Sequence, residues 1–184
     1  MIYGQKTGLR ARTAADTPVL HAELYDHVPT QARSDTRPWR PLPADSEHGP
    51  YAVRAPDATA EPFSVVELAS GELAGEAILW SIDLHNRSAH LGLALRPAFR
   101  GRGLGADVVQ ALCRYGLTVR GLQRLQVETL TDNAAMIRAA EKAGFVREGV
   151  RRRAGWVYGQ WKDEVILGLL AEDWTEVPEA RPAA

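Results

Sequence analysis

The residues that most plainly could do chemistry lie in one run, Leu93-Ala-Leu-Arg-Pro-Ala-Phe-Arg-Gly-Arg-Gly-Leu-Gly-Ala-Asp-Val-Val109. A strand pattern runs into a loop carrying Gly101, Gly103 and Gly105, then directly into a helical pattern. The first turn of a helix leaves several N–H groups without partners, and the aligned peptide dipoles make that end positive. Glycines permit positive φ and let a ligand approach the backbone. Such a loop makes a phosphate cradle, and Arg100 and Arg102 place positive charge beside it. The plainer alternative is a Gly-rich turn with two solvated arginines.

Three families use cradles of this kind. A P-loop requires G-x-x-x-x-G-K-[ST], and no Lys-Ser or Lys-Thr follows these glycines. A dinucleotide site requires G-x-G-x-x-G/A, which Gly101, Gly103 and Ala106 satisfy, but Pro97-Ala-Phe-Arg100 separates them from the strand and repeated βαβ units are missing. Arg100-Gly-Arg-Gly-Leu-Gly105 resembles the R/Q-x-x-G-x-G/A signature of the GNAT acyltransferase superfamily, and Asn133-Ala-Ala-Met-Ile-Arg-Ala-Ala-Glu-Lys-Ala-Gly-Phe145 is similar to its second motif, N-x-x-[SA]-x-x-x-x-E-K-x-G-F. Arg147-Glu-Gly-Val-Arg151, then Asp163 and Leu170-Ala-Glu-Asp-Trp174, is similar to the RimJ/RimL-type branch, which acetylates protein N-termini and small amines. The resemblance runs from about Leu9 to Trp174.

That resemblance implies a GNAT-like, mostly antiparallel sheet of about seven strands with helices on both faces. It also implies acetyl-CoA as co-substrate and a small-molecule or peptide amine as acceptor, with a homodimer as the assembly to expect. The backbone of Arg100, Gly101, Arg102, Gly103, Leu104 and Gly105 would hold the coenzyme A pyrophosphate. Main-chain groups of Leu93 and Leu95 would bond the pantetheine arm and polarise the acyl carbonyl. Asn133 would reach the same arm, or serve as a helix cap, and Lys142 counts with the coenzyme contacts.

Transfer of an acyl group from a thioester to an amine needs a proton acceptor for the ammonium form, a donor facing the oxyanion, and a proton for the departing thiolate. No covalent enzyme intermediate is required. His90 stands where relatives often carry Glu, on the strand face shared with Gly92 and Ala94, and suits a base near neutral pH; the alternative is a strand-end histidine. Glu76, Glu128 and Asp163 are other candidates for the base, though each reads more readily as a surface or structural acid. Relatives often place Tyr where this chain has Ala140 and Ser where it has Met136, so Tyr158, Tyr115 or water must protonate the thiolate, or no dedicated acid is needed. A CoA-binding module without catalysis stays open on the same ground. Trp156 and Trp161 are candidates for the acceptor wall, with Trp39 opposite. Arg151-Arg152-Arg153 reads as a solvated strand end or an anion contact. Cys113 reads as a structural residue in mid-helix.

Around these residues the pattern gives strands at about Phe63–Leu68, Gly75–Ile82, His90–Leu95, Leu125–Leu130, Val146–Arg152 and Lys162–Leu170. Helices follow at about Pro18–Tyr25, Gly103–Val119 and after Asn133, the last closed by Gly144. This order describes an α/β domain over residues 1–175. Residues 29–62 read as a Pro-rich loop, a binding lid or mobile insertion, and 176–184 as a flexible tail. A net charge of -1 gives no general pull toward nucleic acid or anionic lipid. One cysteine, no long apolar run and a polar Met1–Arg12 lead to the expectation of a cytoplasmic protein without a leader, metal site or membrane span.

Overall fold

The strands follow one another across a single sheet in nearly the order of the chain. A computed structural model describes residues 1–35 and 37–178. Its strands are β1 (Ile2–Tyr3), β2 (Thr7–Ala11), β3 (Ala60–Glu67), β4 (Leu73–Asp83), β5 (Ser88–Leu95), β6 (Arg124–Leu130), β7 (Val146–Val157) and β8 (Gln160–Leu170). They are arranged β1-β2-β3-β4-β5-β6-β8-β7. Among the described residues only the β5–β6 pair is parallel, so the mixed, mostly antiparallel sheet is the expected one, with the two-residue β1 making eight strands rather than about seven.

One face of the sheet carries α3 (Leu104–Cys113), continued by a wider helical turn over Arg114–Val119, and α4 (Ala134–Lys142). Leu104, Val108, Ala111 and Leu112 recur at helical spacing and are all buried, packing on Leu79, Leu91 and Leu125. Cys113 is buried among them, and its burial pushes the thiol up, as a structural residue requires. Asn133 caps α4 by accepting from the Met136 N–H, and Gly144, at φ 101°, ends it.

The opposite face carries α1 (Asp16–Leu20), its wider continuation His21–Tyr25, and α2 (Val28–Ser34). Here the structure corrects the reading of residues 29–62 as loop throughout. Pro29 falls in the first turn of α2, where a missing N–H costs nothing. Pro62 sits inside β3, but β2 stops pairing at Ala11↔Phe63, so no neighbour on that side needs its donor. The stretch between them is tied down: Tyr51 packs with Leu20, Leu24 and Tyr25 in a second small core, and buried Arg12 donates to the Pro50 and Phe63 carbonyls and to Glu76.

The β7–β8 hairpin is longer than the sequence pattern suggests. Tyr158 and Gly159 form its two-residue turn at φ 42° and 86°, the backbone of a tight I′ connection. Beyond the last strand, Glu176 and the Val177 carbonyl bind Arg114; residues 179–184 of the expected tail lie outside the described residues.

Candidate functional site: a split between two parallel strands

Strands β5 and β6 share only three rungs, Ser88↔Arg124, Ala89↔Leu125 and His90↔Gln126. Past His90 each strand stays with its other neighbour, β5 with β4 up to Leu95↔Gly75, and β6 with β8 up to Leu130↔Glu164. Beyond this rung the two no longer pair. The gap becomes a cavity of ≈ 670 Å³ lined by Leu91–Leu95 on one side and Glu128–Leu130 on the other. Strand alternation puts Leu91, Leu93 and Leu95 toward α3 and leaves the small Gly92 and Ala94 on the face of α1. A Cβ on Gly92 would meet only Ile78 and Trp80, at 3.6 and 4.0 Å.

The cavity opens onto the glycine loop. Gly101 and Gly103 adopt φ 74° and 79°, which favours glycine at both positions, and a side chain at Gly101 would meet nothing within 4 Å. Gly103, the N-cap of α3, has no side chain with which to cap the helix, so the first-turn amides lack a side-chain partner, and Gly103–Ala106 line the cavity. Arg100 lines the cavity and donates through Nε to the Leu95 carbonyl at 2.8 Å; Arg138 and Lys142 line it from α4. Arg102 does not join them. Its guanidinium pairs with Glu67 at 2.6 Å and lies over the Phe99 ring, outside the cavity lining. Open backbone, helix amides and cations at one end of a slot fit a pyrophosphate with a long arm. Asn133 lines the slot, although both ends of its amide are engaged, Oδ1 in the cap and Nδ2 on Thr129 Oγ1 at 2.9 Å.

The other end of the cavity is walled by Thr30 and Ala32–Asp35 around α2, by Glu128 and Glu164, and by Gly155–Val157. Arg151 spans the two carboxylates, with Nη1 3.1 Å from Glu128 and Nη2 2.5 Å from Glu164. Glu164 is buried. His90 stands just behind the cavity on the last β5–β6 rung and is not part of its lining. Its ring packs on Trp80 at 4.4 Å between centroids, and Nδ1 lies 3.7 Å from Glu128 Oε1. Burial lowers the His90 pKa below the usual histidine value; Glu128 opposes this and Arg124 and Arg151 reinforce it. The imidazole is therefore neutral at neutral pH.

Of the aromatic candidates, Trp156 lines the cavity, with Trp161 packed edge-on against it at 5.1 Å. Trp39 does not reach the lining: it packs in the second core and donates to the Tyr25 carbonyl at 3.1 Å. Tyr158 is 68% exposed on the hairpin turn and does not line the cavity either. Tyr115 packs against Phe63 on the α3 face. Glu76 is held by Arg12, and Asp163 accepts from the Arg153 N–H.

Sequence reasoning missed α2 as a wall, Glu164, and the bridge that the exposed Arg151 makes between Glu128 and Glu164. The only signal for the last two was the cross-strand pairing Arg151↔Glu164, which depends on bulges in β7 that residue patterns do not specify. Among the described residues no cluster of His, Cys, Asp or Glu could hold a metal ion, and no helix is long and apolar enough to cross a membrane.

Comparison with known proteins agrees with this geometry. The family model described as an acetyltransferase (GNAT) domain matches residues 6–146. The chain is similar to a probable N-acetyltransferase, YjcK, of Bacillus subtilis, 30% identical over 47% of this chain and 48% of that one. It is 27% identical to the spermidine N(1)-acetyltransferase of Vibrio cholerae over 60% of this chain and 64% of the relative. To the [ribosomal protein uS5]-alanine N-acetyltransferase of Escherichia coli it is 26% identical over 48% and 45%. The chain thus spans about half to two-thirds of the length of these curated relatives. Among solved structures, a probable acetyltransferase superposes with a TM-score of 0.77 at 22% identity, covering 92% of this chain and 95% of that one. The Vibrio cholerae spermidine N-acetyltransferase with CoA and spermine superposes with a TM-score of 0.75 at 20% identity, covering 91% and 97%. With the family model spanning most of the sheet and the whole glycine loop, the chain belongs to the GNAT acetyltransferase family.

Proposed function

We propose that this protein transfers an acetyl group from acetyl-CoA to a primary amine by direct attack. The carrying observation is the split beyond His90, which joins the glycine cradle to a chamber on the opposite face of the sheet. In this reading the amides around Gly101–Gly105, with Arg100 and Lys142, hold the pyrophosphate. The free edge of β5 at Leu93 and Leu95 lines up the pantetheine arm. The thioester supplies an activated carbonyl carbon and a thiolate leaving group. Gly92 and Ala94 leave room for the amine to approach, and Trp156 and α2 shape the space around it. The resemblance to RimJ/RimL-type motifs, and relatives named for spermidine and for an alanine of ribosomal protein uS5, support small amines and N-terminal peptides as the acceptors to test first. A cytoplasmic location and a homodimer accompany this reading; a related Vibrio cholerae enzyme is described as a dodecamer.

A second reading, a CoA-binding module without catalysis, is favoured by one observation. Ala140 and Met136 carry no hydroxyl, and Tyr158 stands on an exposed turn. Calorimetry with CoA combined with a thiol-release screen of acetyl-CoA against N-terminal peptides and small amines separates the two. Binding with turnover supports the transferase. Binding without turnover across the panel selects the module, and no binding at millimolar CoA removes both.

A further inference from the structure

The titratable side chain that reaches the cavity at the split is not the histidine. Glu128 lines the cavity two residues beyond the last β5–β6 rung, on the same sheet face as Gly92, whereas His90 sits behind it. Arg151 engages Glu128 Oε2, and Oε1 faces both His90 Nδ1 and the Gln126 amide, which donates to it at 2.8 Å. His90 Nδ1 is buried and has no hydrogen-bond partner. An unsatisfied buried nitrogen costs stability, and a proton arriving on its neighbour would relieve it.

We propose, on the transferase reading above, that Glu128 takes the proton of the acceptor ammonium, that His90 is the positioning residue that receives it next, and that Arg151 clamps Glu128 in place. In the first step an N–H bond of R–NH3+ breaks and an O–H bond forms on Glu128 Oε1, leaving the electron pair on nitrogen. That pair attacks the thioester carbonyl. The proton passes from Glu128 to His90 Nδ1, and the imidazolium releases its other proton, from Nε2, to solvent. When the C–S bond breaks, sulfur leaves with the bonding pair and takes up the second proton shed by the attacking nitrogen, giving amide, free thiol and one proton in solution. The 3.7 Å gap from Oε1 to Nδ1 must shorten by less than an ångström or be bridged by a water; catalytic hydrogen bonds often tighten only once substrate is bound.

The charged and titratable groups facing this pair are Arg124 on β6, Arg151 on β7 and Glu164 on β8, with Asp35 at the end of α2 across the cavity. Arg124 is itself paired with Glu148.

Three measurements test the assignment. In Glu128→Gln, CoA affinity by calorimetry should stay within about twofold, while turnover at neutral pH falls by about 100-fold or more. The lost turnover should return at alkaline pH, about tenfold per unit, as the amine deprotonates unaided. In ¹⁵N-histidine NMR without substrate, the same variant should lower the His90 titration by about one unit, because the nearby carboxylate favours imidazolium. His90→Gln should keep CoA affinity and lose less turnover than Glu128→Gln. A Glu128→Gln enzyme with wild-type turnover and pH profile, or an unmoved His90 titration, overturns the proposal and leaves the transferase reading standing. Absence of turnover in the wild type with every amine overturns that reading, and this one with it.

Discussion

At Gly103 the backbone stands at φ 79° where the loop turns into α3, and the residue lines the cavity end that we assign to phosphate. An L side chain in this conformation costs roughly 1–2 kcal/mol. Gly103→Ala should therefore lower the melting temperature by about 2–6 °C and weaken CoA binding about tenfold, which corresponds to about 1.4 kcal/mol. Thermal denaturation and calorimetry check the two effects together. The glycine spacing was legible in the sequence because positive φ demands a residue type. The two arginines beside it were not separable by type. Arg100 stays at the cavity while Arg102 is claimed by Glu67, a partner 35 positions away that only the folded sheet brings near. The carboxylate partners of Arg151 were hidden for the same reason: a solvated strand end and a bridge to Glu128 and Glu164 use the same residue.

The element that carries the cradle is bolted to the chain's start. Asp107, in the first turn of α3, accepts from the backbone N–H groups of Gln5, Lys6 and Thr7 and from the Thr7 hydroxyl. Thr7 is fully buried, so its N–H and hydroxyl have no access to replacement water, and a Cβ on Gly4 would strike the same carboxylate at 2.3 Å. Asp107→Ala should cost about 2 kcal/mol and loosen the turn between β1 and β2, seen as a lower melting temperature and faster amide exchange at residues 5–7. Most elements were legible from periodicity, including the alternation of β5 and the 3.6-residue pattern of α3. What escaped was α2. Val28–Ser34 is short, opens with Pro29 and is stabilised by tertiary links such as Arg33 to Asp132 at 2.6 Å, so it leaves little local signal. The β7–β8 turn escaped because tyrosine at a left-handed position is uncommon.

Across the whole molecule, β1–β5 and β6–β8 form two blocks of sheet that share three rungs of parallel pairing. Residue patterns alone do not give this partition, since Leu91–Leu95 and Leu125–Leu130 look like strands suited to pairing along their full length. Only the folded chain shows each committing to a different neighbour. Hydrogen exchange should concentrate the effect of CoA at the facing edges, with protection gained over Leu91–Leu95 and 127–130 and little change in the β3–β4 ladder. Saturating ligand at 100 times Kd should raise stability by about 2.7 kcal/mol, read as a melting shift. Equal protection throughout the sheet would argue that the edges are not where the coenzyme lies.

The three-rung seam also makes the donor part of the masonry. On the proposed placement, a pantetheine laid along β5 would be a keystone between the blocks, supplying the cross-links that β6 withholds. Departure of the spent thiol would then depend on the seam itself, so substitutions there should alter the tempo of product loss even where they touch no reacting atom.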